Sequence, residues 1–144
     1  MKILAVVYHA ESNEYAMKAL ASGKSSFARV MDFINRIGEL SGALLLAGPE
    51  SPPEWPHAVI HRDHWSMKDV FDSIASTWAD DGNVDAVVYV RSDCPLLDSA
   101  LAVRMISDFR KYRAEYHFAD GLPPGFAPEI IRPRILQALS ALCR

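Results

Sequence analysis

The sequence predicts an α/β domain built on a mostly parallel sheet with helices over both faces. Three observations carry that expectation. The runs KILAVVY (2–8), ALLLA (43–47) and VDAVVYV (84–90) are almost continuously apolar. Strands buried on both faces read this way, and such strands belong to parallel sheets. Segments of helical spacing fall between these runs. The resulting order, β-α-β-β-α-β-α-β-β-α, alternates the two classes, and right-handed crossovers then place helices on both sides of the sheet.

Taken in order, Lys2 to Tyr8 is the first strand, and the polar stretch His9 to Leu20 is a loop or a short helical turn. From Phe27 the helical period is clear, with Phe27, Val30, Met31, Ile34 and Ile37 on one face. Gly38, or Gly42 a turn later, is the expected stop. Ala43 to Ala47 is the second strand, and the proline-rich GPESPPEWP (48–56) is a loop. His57 to His61 is a short third strand with Val59 and Ile60 inside. Ser66 opens the next helix with Asp69 three residues on, a pair that resembles a capping box with the shorter acid. Val70, Phe71, Ile74 and Trp78 form its buried face. A turn at Asp80-Asp81-Gly82-Asn83 leads into the strand Val84 to Val90. Asp98 is the expected N-cap of the helix carrying Leu101, Met105 and Phe109. Glu115 to Ala119 is a strand, and DGLPPG (120–125) a tight loop. Phe126 to Ile131 returns as a strand whose Pro128 argues for a sheet edge. Pro133 fits the first turn of a last helix through Ile135, Leu136, Leu139 and Leu142.

The 144 residues suffice for one domain, 1–144, which is either the whole protein or part of a longer one. Net charge is −3, which argues against a general nucleic-acid binder and leaves a nucleotide site open. No apolar run approaches the roughly 20 residues of a membrane span. The N-terminal apolar run is shorter than the ~7–15 residues of a signal-peptide core. Cys94 and Cys143 are far apart, so free thiols in a reducing cytoplasm are expected.

The chemistry concentrates after the strand at 84–90. Arg91-Ser92-Asp93 ends it, and Cys94-Pro95 turns the chain, because proline disfavours a helical residue before it. Asp93 therefore sits just past the carboxyl end of a central strand. Ligands of open α/β sheets bind in the crevice there. A carboxylate in that place can hold a divalent cation and, through it, a phosphate.

At this point the residues become more specific. Arg62-Asp63, then Asp69-Val70-Phe71-Asp72-Ser73, then the strand, then Asp93-Cys94-Pro95-Leu96-Leu97-Asp98 occur in order. Tyr116 lies in a later strand, followed by Pro124-Gly125-Phe126-Ala127-Pro128-Glu129-Ile130 and the last helix. This stretch, Arg62 to Leu139, resembles the nucleotidyltransferases of polysaccharide biosynthesis of the spore-coat polysaccharide F type, relatives of the CMP-Kdo and CMP-sialate synthetases. The resemblance implies a three-layer α/β/α fold of the nucleotide-diphospho-sugar transferase type. It implies binding of a CTP-like nucleotide and a sugar, with Ser92 and Asp93 on the nucleotide. It also implies Mg²⁺ held by Asp93 and Glu129. Lys18 takes the place of the lysine in the family's P-G-K, and Gly23-Lys24 that of a later glycine-lysine, which makes Lys18 and Lys24 nucleotide-binding candidates.

The departures matter equally. The family's basic glycine-rich loop reads here HAESNEYAMKALASGKS (9–25), without its arginines or its loop glycine. Glu11 and Glu14 stand where a triphosphate wants positive charge or bare amides. Like charge opposite a ligand costs affinity. Ala127 replaces an aspartate of the family pattern, and Ser73 an arginine.

Each candidate has a plainer reading. Asp93 can serve as a turn aspartate, and Lys18 and Lys24 as solvated surface lysines. His57, His61 and His64 match no standard zinc spacing. Trp55 and Trp65 are expected to pack, and Cys94 to be buried, since no basic partner is identifiable beside it. Charges at Asp108, Arg110, Lys111 and Arg113 fit a solvated helix end. Gly23-Lys24-Ser25 lacks the upstream glycine of a P-loop. Two functions follow: a cytidylyltransferase-type domain of polysaccharide or sugar-nucleotide biosynthesis with an altered nucleotide site, or a non-catalytic binding or assembly module of the same fold in a larger polysaccharide-biosynthesis protein; a homodimer or a fused domain is the expected assembly.

Overall fold

The computed structural model describes residues 1–10, 13–50, 52, 54–79 and 83–143. Its elements are β1 (Lys2–His9), α1 (Asn13–Met17), α2 (Ser26–Asn35), β2 (Leu40–Ala47), β3 (Ala58–His61), α3 (Met67–Ala79), β4 (Val84–Arg91), α4 (Ser99–Lys111), β5 (Tyr116–His117), β6 (Glu129–Ile131) and α5 (Pro133–Leu142). The expected order stands, with the polar stretch after β1 supplying the short helix α1. Glu11 and the turn residues Asp80, Asp81 and Gly82 lie outside the described residues.

The sheet has the order β3-β2-β1-β4-β6-β5. β3, β2, β1 and β4 pair in parallel, and β6 runs antiparallel to both β4 and β5. The four parallel strands account for the apolar runs. Alternate residues of a strand face opposite sides. Ile3, Ala5 and Val7 of β1 and Ala86, Val88 and Val90 of β4 pack with Phe27, Val30 and Phe33 of α2 and with Met105, Ile106 and Phe109 of α4. Val6, Leu44, Leu46, Val87 and Ile131 pack instead with Val70 and Ile74 of α3 and Leu136 of α5.

Local capping matches the sequence reading. Asp98 accepts from the N–H groups of Ala100 (2.8 Å) and Leu101 (3.2 Å). Ser66 and Asp69 bond reciprocally: the Ser66 N–H donates to Asp69 Oδ2 (2.9 Å) and the Asp69 N–H to Ser66 Oγ (3.1 Å). Ser25, which the sequence reading did not assign as a cap, also caps α2 through the Ala28 N–H. That helix ends at Asn35, before either glycine, and Ile37 is buried in the turn that follows.

Two expectations need correction. The strand read as Glu115 to Ala119 pairs only at Tyr116–His117, and the one read as Phe126 to Ile131 only at Glu129–Ile131. Gly125, at φ +90°, turns the chain shortly before β6. Pro128 does not mark an edge. β6 lies inside the sheet, and Pro128 precedes its first residue, so the missing N–H removes no ladder bond there. The edge strands are β3 and β5.

Candidate functional site

The site follows from the strand order. β1 leads through α2 to β2 on one side, while β4 lies on the other side of β1, so the chain switches direction between β1 and β4. The crevice at the carboxyl ends of those two strands is where this architecture places ligands. The Ser92 N–H donates to the Tyr8 carbonyl at 3.0 Å, carrying the β1–β4 pairing past the named end of β4. Asp93 comes next, with 27% of its side chain exposed.

Asp93 is strongly engaged. Arg91 Nε donates to its Oδ1 at 3.1 Å, and Arg91 Nη2 to its Oδ2 at 3.0 Å. This two-point pairing is the geometry in which a guanidinium matches a carboxylate best. Residues two apart at a strand end share a face, which brings the pair together. Arg91 and Cys94, on either side of Ser92-Asp93, line a cavity of about 310 Å³ with Tyr89, Leu97, Gly125 and Glu129 among its other walls. Burial, followed by the Asp93 charge, pushes the Cys94 thiol up to about 11, so it stays protonated at neutral pH.

The other sequence candidates scatter. Ser92 is buried, and its hydroxyl shares a 2.7 Å hydrogen bond with His9 Nδ1, joining the ends of β4 and β1. The His9 ring packs on Phe27 at 4.9 Å, and burial lowers its pKa. Lys18 is exposed beyond α1. Lys24 turns to Asp32 of α2 at 2.6 Å, in a separate cavity of about 450 Å³ that also holds Arg29, Arg36 and Asp98. Glu129 accepts from the Tyr116 hydroxyl at 2.6 Å. Trp65 is buried with its Nε1 donating to the Ala47 carbonyl, and His61 Nδ1 bonds the Gly48 carbonyl. Arg91, Tyr89 and His9 were not singled out by the sequence reading. An arginine two residues before a strand-end aspartate was the one visible signal.

The donor set bears on the magnesium expectation. Among the described residues no group of three or more His, Cys, Asp or Glu could hold a metal ion. A metal at Asp93 competes with a guanidinium already bonded to both carboxylate oxygens. The described residues thus form no all-protein metal cage, and a Mg²⁺ ion at Asp93 would meet Arg91 there.

No family model matches the chain. A cytidylyltransferase from Leptospira borgpetersenii serovar Hardjo-bovis (strain JB197) superposes with a TM-score of 0.71 over 99% of this chain and 64% of its own, at 19% identity. A CMP:2-keto-3-deoxy-manno-octonic acid synthetase complexed with CTP gives 0.66 over 100% of this chain and 79% of its own, at 11% identity. This chain has a cytidylyltransferase-like fold. In sequence, an uncharacterized protein of Treponema pallidum (strain Nichols) is 36% identical over 58 residues, 40% of this chain and 26% of that protein. The cytidylyltransferase-like domain thus spans under two thirds of the Leptospira protein's length. No helix among its described residues is long and apolar enough to cross a membrane.

Proposed function

We propose that this cytidylyltransferase-like domain serves sugar-nucleotide or polysaccharide biosynthesis with an altered nucleotide site, one that no longer supports Mg²⁺-dependent transfer. The observation that carries this reading is the Arg91–Asp93 pair. A guanidinium is bonded to both oxygens of this carboxylate, so a metal there meets competing positive charge, at the crevice where the fold presents ligands. Glu14, in the first turn of α1, and Ala127, in the wall of the neighbouring cavity, support the same conclusion. The fold is of the nucleotide-diphospho-sugar transferase type with its helices in two outer layers, and the compartment is the cytoplasm. Ligand specificity rests on the crevice beside Asp93 with Arg91 as its positive charge. Lys24 is committed to Asp32, and Lys18 is left as the one sequence-proposed lysine with no described acidic partner. A CTP-like nucleotide and a sugar are the ligands the ancestry points to. Magnesium enters only with Arg91 displaced.

Calorimetric titration of CTP with Mg²⁺ into the wild type, Asp93→Ala and Arg91→Ala tests the altered site. The expected result is no saturable Mg²⁺-dependent binding by the wild type at millimolar nucleotide. Saturable Mg²⁺-dependent binding that Asp93→Ala abolishes overturns it.

A further inference from the structure

We propose that Glu129, with the rings of Tyr89, Tyr116 and Phe118, forms a binding site for a small organic ammonium ion at the junction of two cavities. This goes beyond the nucleotide reading and does not depend on it.

The argument starts from register. Tyr89 of β4 is the ladder partner of Glu129 in β6. On the other side Tyr116 pairs with Ile131 and His117 with Ile130. The β5 ladder ends at His117, and Phe118 follows it as a wall of the first cavity. Alternate strand residues share a face, so Tyr89, Glu129, Tyr116 and Ile131 all point to the α3/α5 side. The carboxylate stands opposite Tyr89 of β4, with Tyr116 of β5 on the diagonal. Tyr116 donates its hydroxyl to Glu129 Oε2, and its ring lies 5.7 Å from that of Phe118.

Two cavities meet here. The one of about 310 Å³ beside Arg91 and a second of about 390 Å³ share Tyr89 and Glu129 as walls. The second is otherwise lined by Tyr116 and by Met67, Phe71, Ile74, Ile131, Ile135 and Leu139. A mainly apolar cavity of this size with a few convergent polar groups is what small-molecule sites look like. Phe118 is 57% exposed and Tyr116 42%, large aromatic surfaces that the fold does not use for packing.

Charge selects the ligand. Among the described residues, Glu129 bonds to a neutral phenol and makes no ion pair with a lysine, arginine or histidine. A half-buried carboxylate gains from a cation. Mg²⁺ keeps its waters and suits oxygen-rich walls, which these are not. An alkylated ammonium is weakly hydrated. Its charge meets the carboxylate, and its methyl groups meet ring faces. Arg91, the cation in the first cavity, is bonded to Asp93, and the ammonium is placed at the junction, where Tyr89 and Glu129 wall both cavities, Phe118 the first and Tyr116 the second.

The test is titration of tetramethylammonium and choline against choline's neutral tert-butyl carbon analogue. Binding is followed by amide chemical shifts of β5, β6 and α3 in the full chain. The expected result is saturable shifts at Tyr116, Glu129 and their neighbours, with the cation bound about tenfold more tightly than the neutral analogue. Glu129→Gln is expected to erase that preference and leave the fold unchanged by circular dichroism. Phe118→Leu, at an exposed position, weakens the cation without touching the carboxylate. Equal affinity for the neutral analogue, cation binding unaffected by Glu129→Gln, displacement by excess Mg²⁺, or no saturable shift each overturns the proposal. Displacement by Mg²⁺ bears also on the nucleotide reading, which names Glu129 as a metal candidate; the comparison with the neutral analogue bears on the ammonium site alone, and the CTP titration decides the nucleotide reading separately.

Discussion

Cys94 sits beside the Arg91–Asp93 pair, and its environment decides its chemistry. A thiol after an aspartate in a crevice invites a nucleophile's role. The structure removes the two things such a role needs. Burial and the adjacent carboxylate both disfavour the thiolate, and Arg91, the nearby cation, is spent on Asp93. With its pKa pushed up to about 11, Cys94 is expected to react with iodoacetamide at pH 8 about a hundredfold more slowly than free glutathione. Peptide mapping by mass spectrometry, which separates Cys94 from Cys143, measures the rate. Alkylation as fast as glutathione's would show that the crevice does not hold the thiol as described. The same neighbourhood shows how a residue-scale signal is lost in a sequence. Arg91 and Asp93 are two apart and visibly complementary, but their pairing needs the β4 ladder to continue straight into Ser92, which its bond to Tyr8 secures.

At the scale of elements, the loop between β5 and β6 closes the cavity that the strand ends open. Gly125 sits at φ +90°, where only glycine is free of backbone strain. A Cβ there would stand 3.1 Å from Cys94 Sγ. Gly125→Ala is therefore expected to destabilise the chain by about 1–2 kcal/mol in urea melts, from backbone strain plus crowding. Adding Cys94→Ala recovers the crowding share and not the strain. Full recovery in the double variant would assign the whole cost to the sulfur. The caps of α3 and α4 were legible because a cap involves residues two or three apart. The true lengths of β5 and β6 were not, because a strand ends where its partner ends. β6 can pair with β5 only over the two residues β5 offers.

For the whole molecule, the His9–Ser92 bond ties β1 to β4 at the centre of the sheet, and it couples folding to pH. Burial depresses the folded-state pKa of His9 below its ordinary 6.5. The unfolded chain then binds a proton that the folded chain refuses. The stability linked to His9 is fully present above pH 6.5 and is lost as pH falls from there towards the depressed folded value. Urea melts of the wild type and His9→Gln between pH 5 and 8 measure it. The wild type is expected to lose stability on acidification more steeply than the variant, by at most about 1.4 kcal/mol per pH unit for one proton. Parallel slopes would mean that His9 titrates freely in the folded state.

The sequence alone determined the α/β class, the parallel strands at 2–8, 43–47 and 84–90, the caps, and the placing of Asp93 at a strand end. Each rests on residues close together in the chain, where periodicity and backbone preference act directly. Tertiary structure alone decided that Arg91 grips Asp93 from within the crevice, that Ser92 is spent on His9, and that Lys24 turns to Asp32. It also decided that Glu129 stands among aromatic rings from two other strands. Those outcomes depend on which strands become neighbours and in what register. Pairing across tens of residues sets that, and no local pattern encodes it.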